Sequence, residues 1–150
     1  MITFAVEDWF AVRDEMSHLW PAHWEEVAVN RDTIPLELDM ESYDRYAMCG
    51  ALHIVVARAG GEVVGYHASI VRPHLHYRSS LSAFTDVYYI APAHRTGRTP
   101  LRLFQFVEKT LKERGVQRMF TGTKKSLDIG NLFEHMGWTE FERHYVKTLR

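Results

Sequence analysis

The stretch Ala83–Gly115, AFTDVYYIAPAHRTGRTPLRLFQFVEKTLKERG, reads as strand, turn and helix. Phe84, Val87, Tyr88, Tyr89 and Ile90 are aromatic or β-branched types that suit a pleated, half-buried surface, and Pro92 ends the ladder because it lacks an amide donor. Beyond it, Thr99 is placed to cap a helix through its hydroxyl, and Pro100 fits the first helical position, where an amide hydrogen would be unpaired anyway. Leu101, Phe104, Val107 and Leu111 fall on one stripe at helical spacing, Glu108 sits four before Lys112, and Gly115 supplies the stop. The loop between, His94-Arg95-Thr96-Gly97-Arg98, gathers backbone amides, the positive end of a helix dipole and two guanidinium groups in one small volume. Such a volume suits a phosphate, although a basic loop at a helix start also exists simply to be solvated.

Upstream, Ile2 to Val6 reads as a first strand, and Asp8 to Trp20 carries Trp9, Val12, Met16, Leu19 and Trp20 at helical spacing until Pro21 interrupts. A second short helix follows through Trp24, Val27 and Ala28. Asn30 to Asp39 lacks periodicity and reads as a loop long enough to fold over a cleft. Asp39 is placed to cap a helix from Met40 to Met48 ended by Gly50, with Tyr43, Tyr46 and Ala47 buried. Leu52–Ala59 and Val63–Val71, joined by Gly60-Gly61, form a hairpin pattern. His74-Leu75-His76-Tyr77 reads as a loop or strand extension. Downstream come a strand at Val116–Thr121, a short helix at Asp128–Met136, and a final strand or hairpin from Trp138 through Tyr145, Val146 and Leu149.

With 150 residues, 46% of them hydrophobic, the chain is long enough for one substantial core, and a net charge of −1 does not indicate bulk attraction to nucleic acid or anionic membrane. Its single cysteine excludes an intramolecular disulfide framework and a multi-cysteine zinc site. Nine histidines include no metalloprotease-type or cysteine-rich spacing, so no metal site is expected. The N-terminus lacks a basic start followed by an apolar core, and the expected location is cytoplasmic.

The central stretch resembles the cofactor-binding core of the GNAT superfamily of N-acetyltransferases. In that family a strand ending in a Val-x-Pro type sequence runs into an Arg/Gln-x-x-Gly-x-Gly/Ala loop, whose amides hold the pyrophosphate of acetyl-CoA at the start of a helix. Ile90-Ala91-Pro92 matches the strand end, and Arg95 to Pro100 occupies the loop. Taking His94 as the first motif position places Gly97 correctly and puts Thr99 where glycine or alanine is usual; taking Arg95 puts Pro100 there. Asn131-Leu132-Phe133-Glu134-His135-Met136-Gly137-Trp138 resembles the family's Tyr-Glu-Lys-x-Gly-Phe ending of the next helix. Two partial motifs in the right order are more specific than one.

The resemblance implies a single α/β (α+β) GNAT-type domain over residues 1–150, with a mixed, mostly antiparallel sheet flanked by helices and splayed where the strands carrying Tyr88 and Phe120 part. It implies an acetyl-CoA-dependent N-acetyltransferase acting on a primary amine, of a small molecule or a protein, by direct attack. The Ile90 amide would donate to the carbonyl oxygen as it gains charge, amides within Arg95, Thr96, Gly97, Arg98 and Thr99 would hold the pyrophosphate, and Lys124 or Lys125 could reach the nucleotide phosphate. Asp86, read as sharing a strand face with Tyr88, is the first candidate base, and His76 the second. Phe133 stands where many members have a proton-donating tyrosine, and Ser126 where an asparagine is common, which leaves Tyr88, Tyr145 or water to protonate the thiolate. A non-catalytic acyl-CoA-binding or protein-interaction module of the same fold is the alternative, and a homodimer stays open. A third reading, a nucleic-acid domain built on Arg95, Arg98, Arg102 and the Lys124-Lys125 pair, would show a steep salt dependence.

Overall fold

The computed structural model describes residues 1–149. The elements, in order, are β1 (Ile2–Val6), α1 (Trp9–Ser17), α2 (Trp20–Val27), α3 (Met40–Met48), β2 (Leu52–Ala59), β3 (Glu62–His74), β4 (Tyr77–Ile90), α4 (Thr99–Glu113), β5 (Arg118–Phe120) and α5 (Gly130–His135), with a 3₁₀ turn at Pro92–His94 between β4 and α4. The five strands lie in sequence order in one open sheet. The first four are antiparallel neighbours and β5 joins β4 in parallel. The connections account for much of this: tight hairpins make β2–β3 and β3–β4 antiparallel, β1 meets β2 antiparallel after the excursion through α1, α2 and α3, and the α4 crossover returns the chain parallel to β4.

Two apolar layers clamp this sheet. On one face Trp9, Val12 and Met16 of α1 meet Ile54, Val56, Tyr66, Ala68 and Tyr89, with Met40, Tyr43 and Ala47 of α3 alongside. On the other, Leu103, Val107 and Leu111 of α4 meet Val55, Val71, Ala83 and Ile90. Alternate residues of β2 serve opposite layers, which is why this strand is a continuous apolar run. Each fully buried aliphatic side chain of α4 contributes up to about 1.5–3 kcal/mol.

Several expectations are corrected in detail. Pro21 lies in the first turn of α2 and begins that helix instead of interrupting the previous one, because a first-turn residue needs no amide donor. Thr99 is the buried first residue of α4, Arg98 is the residue before it, and no side chain caps this helix. Leu103 belongs to its buried stripe, and Glu108, half-buried near Trp138 with its pKa raised by burial, does not pair with Lys112; the i,i+4 ion pair is Lys109 with Glu113. Asp39 does cap α3, accepting from the Ser42 amide at 3.0 Å, but Tyr46 points to solvent. His74 to Tyr77 is the tip of a second hairpin joining β3 to β4. The final strand is absent: from Trp138 onward the described chain is irregular, with Tyr145, Val146 and Leu149 exposed, and the three-residue β5 pairs only with β4. No helix among the described residues is long and apolar enough to cross a membrane.

Candidate active site

The site begins where β4 and β5 separate. They pair at Ser82, Ala83 and Phe84 and then stop, and farther along the gap is spanned by a side chain, the Tyr88 hydroxyl donating to the Gly122 carbonyl at 2.6 Å. A cavity of about 410 Å³ passes through this opening, since it is lined both by Tyr88 and Phe104 on the α4 face and by Val87 and Tyr89 on the α1 face. Two reactants approaching from opposite faces of the sheet would meet there, beside Ile90.

Register decides what Ile90 offers. The Ala91 amide donates to the Val64 carbonyl at 2.8 Å, which makes that pair a hydrogen-bonded one and Gly65↔Ile90 a non-hydrogen-bonded one. The Ile90 N–H therefore points away from β3, toward the opening. Gly65 permits the close approach of the two strands: a Cβ there would lie 2.7 Å from the Tyr89 carbonyl oxygen and 3.1 Å from the Ile90 Cα. An unpaired amide fixed at the end of a long strand can donate to an oxygen that gains charge without reorganising.

The loop after β4 supplies more donors. Among the described residues, the Thr96, Gly97, Arg98 and Leu101 amides make no hydrogen bond, whereas the Arg95 and Thr99 amides are taken by the Pro92 and Thr96 carbonyls. These free amides crown the N-terminus of α4, and Gly97, at φ +58, has open space around it. They fit a pyrophosphate even though the loop has one glycine. Arg98 is exposed beside them. Arg95 is committed elsewhere: its Nε donates to the Ile90 carbonyl at 2.6 Å, its guanidinium lies 2.6 Å from Glu26 of α2, and it covers the Tyr89 ring. It ties α2 to the end of β4 and does not face a phosphate. Arg102 lies over the Phe4 ring, so the basic cluster does not form one surface.

Asp86 is not on the face of Tyr88. The register of β3 and β4 shifts between Ala68↔Val87 and Ser69↔Thr85, leaving Asp86 as the extra residue of a β-bulge. Bulges turn a side chain across the sheet. Tyr88 consequently packs against Phe104 and Phe133 on the α4 side, while the Asp86 carboxylate accepts from the Tyr43 hydroxyl of α3 on the other. Burial, reinforced by Asp86, raises the Tyr43 pKa and keeps the phenol protonated. Burial also raises Tyr88, and Phe133 is buried against Phe104 with no polar atom of its own.

Two candidates lie outside the cavity. His76 is at the hairpin tip that opens β4, roughly 40 Å of strand from Ile90. Tyr145 is 90% exposed on the irregular tail. Ser126 is exposed in the loop before α5, which Thr123 pins by accepting from the Ile129 amide at 2.8 Å; Lys124 of this loop lines the cavity. Sequence reading missed His23, Glu26, Tyr66 and Tyr89. His23 lies 2.8 Å from the Tyr66 hydroxyl and stacks on Tyr89 at 4.8 Å, and burial lowers its pKa to about 4 against the opposing pull of Glu26. No local motif marks these residues.

Comparison with known proteins settles the lineage. Residues 9–138 match the model of the acetyltransferase (GNAT) family. The chain belongs to this family. GNAT proteins transfer acetyl groups from acetyl-CoA, and the fold is shared with solved structures. A ribosomal-protein-alanine N-acetyltransferase from Brucella melitensis biovar Abortus 2308 superposes with a TM-score of 0.77 at 16% identity, covering 100% of this chain and 99% of that one. An aminoglycoside acetyltransferase from an uncultured soil metagenomic sample gives 0.74 at 15%, with the same coverage. A predicted acetyltransferase with acetyl-CoA from Clostridium acetobutylicum gives 0.71 at 12%, covering 99% of this GNAT chain and 96% of its own. At such identities these likenesses speak to fold alone. No curated protein matches the chain by sequence.

Proposed function

We propose that this protein is an acetyl-CoA-dependent N-acetyltransferase that modifies a primary amine by direct attack. The observation that carries the reading is the unpaired Ile90 amide aimed into an opening that joins both faces of the sheet. The free amides of Thr96, Gly97, Arg98 and Leu101 hold the pyrophosphate, with Arg98 adding charge. On the opposite face the neutral amine attacks the thioester carbonyl carbon, the carbon–sulfur bond breaks, and one proton passes from the nitrogen to the departing sulfur, leaving an amide and free CoA thiol. Asp86 takes the amine proton, directly or through water, and Tyr88, replacing the hydroxyl that Phe133 lacks, or water returns one to sulfur.

The test is to follow free thiol while the protein is supplied with acetyl-CoA and a panel of amines. Amine-dependent thiol release supports the transferase. Saturable acetyl-CoA binding with no turnover on any acceptor supports the binding module instead, a reading that Phe133 favours.

A further inference from the structure

The geometry points to an acceptor with one ammonium group on a flat apolar body, an arylalkyl monoamine and not a polycation. This rests on the transferase reading above and specifies its second substrate.

On the face that carries α1, α2 and α3, the cavity is lined by the half-buried rings of Trp20, Trp24 and Tyr43, with Trp9, Tyr66 and Tyr89 buried beside them. Trp9 stacks on Tyr43 at 4.9 Å and on Trp20 at 6.3 Å, which fixes both of those rings against the buried indole. The Trp9 indole nitrogen donates to Asp44 at 2.7 Å, which fixes that ring. Leu36 and Leu38, from the segment between α2 and α3, extend the apolar lining. Aromatic faces take a flat ring by stacking and an adjacent ammonium by its attraction to their π-clouds.

Charge then decides between one cation and several. The carboxylates on the wall are Glu26 and Asp86, and its cations are Arg95 and Lys124. Glu26 is engaged by Arg95 at 2.6 Å. Asp86 accepts from the neutral Tyr43 hydroxyl and, among the described residues, forms no ion pair. One carboxylate is thus available to one ammonium. His23, lowered by burial, brings no charge near neutral pH, and a second ammonium would be stripped of water with no second free carboxylate to pair with it. Asp86 is also placed to pass the ammonium's first proton to water, which leaves the neutral amine that attacks, while the second proton, lost after attack, is balanced at sulfur as above.

The experiment compares kcat/KM, by thiol release at saturating acetyl-CoA, for tryptamine, 2-phenylethylamine, ethylamine, spermidine and kanamycin. Tryptamine and phenylethylamine are expected to exceed the other three by about 100-fold, the factor that burial of one aromatic group supplies. Trp20→Ala should raise the KM for tryptamine about tenfold while leaving that for acetyl-CoA unchanged. Ethylamine, spermidine or kanamycin matching the aromatic amines overturns the acceptor class and leaves the transferase standing. Calorimetry with CoA-loaded protein separates the remaining cases. Saturable tryptamine binding, at least about tenfold tighter than that of the uncharged alcohol tryptophol, supports the ligand class even without turnover, in which case the transferase reading alone fails. Neither binding nor turnover overturns both.

Discussion

Tyr43 of α3 donates its phenolic hydrogen to the Asp86 carboxylate of β4, joining residues 43 positions apart on the α1–α3 face of the sheet. The contact exists because Asp86 is the bulged residue; in a regular strand it would sit with Tyr88 against α4. Asp86→Asn should lower kcat by about 100-fold or more, with the KM for acetyl-CoA within about twofold of the parent. Tyr43→Phe should cost less, since the carboxylate stays. A pH–rate profile unaltered in Asp86→Asn would remove Asp86 as the base.

Gly65 keeps β3 against the end of β4. Gly65→Val should push the Tyr89–Ile90 segment away, lowering stability by about 1–3 kcal/mol and kcat by more than the lost fold alone explains. Urea midpoints and single-turnover rates on the folded fraction check this; a stable variant with parental kcat would dissociate Ile90 from the chemistry.

Arg95 and Arg98 should separate cleanly. Arg95→Ala removes the link to Glu26 and the Ile90 carbonyl and should lower stability by about 2 kcal/mol. Arg98→Ala should leave the urea midpoint in place and weaken CoA binding about three- to tenfold at low salt, an effect that fades as salt is added. The reverse pattern would place the phosphate at Arg95.

Acid should destabilise the fold before the carboxylates protonate. His67 is fully buried between the sheet and Phe104, and burial lowers its pKa to about 3; His53 and His23 are lowered to about 4. Each lies below the ordinary value of about 6.5, so below that pH the unfolded chain binds protons that the folded chain refuses. Stability is therefore full above 6.5 and declines as pH falls toward 4, at about 1.4 kcal/mol per unit for His67 alone. Urea midpoints at pH 7.5, 6 and 5 measure it, and a flat series would contradict neutral burial.

Tyr88→Phe deletes the hydroxyl that spans the β4–β5 gap. If Tyr88 supplies the proton that Phe133 lacks, kcat should fall about tenfold or more with the tryptamine KM unchanged, and a more acidic thiol leaving group should rescue it. Equal loss with every leaving group would mark a purely structural hydroxyl.

Much of this was legible in the chain. Local signals sufficed to place α4, where a prolyl first turn, an apolar stripe and Gly115 coincide, and the Gly60-Gly61 hairpin, so those elements and the loop of Thr96, Gly97 and Arg98 follow from neighbours in sequence. Alternation failed at Asp86, because one extra residue in a strand reverses the face of everything before it and leaves no mark in residue types. Trp138 to Leu149 carries a strand-like pattern but pairs with nothing among the described residues, since a strand is made by its partner's edge and not by its own side chains.

By itself the sequence determined the order of elements from β1 to α5 and the glycine-bearing turn into α4, which depend on residues close along the chain. Only the tertiary structure decided that Arg95 is tied to Glu26, where the Asp86 carboxylate points, and that His23, Tyr66 and Tyr89 share one wall. Those arrangements join β4 to α1, α2 and α3, and their energies come from long-range packing and pairing, which periodicity along a single chain does not encode.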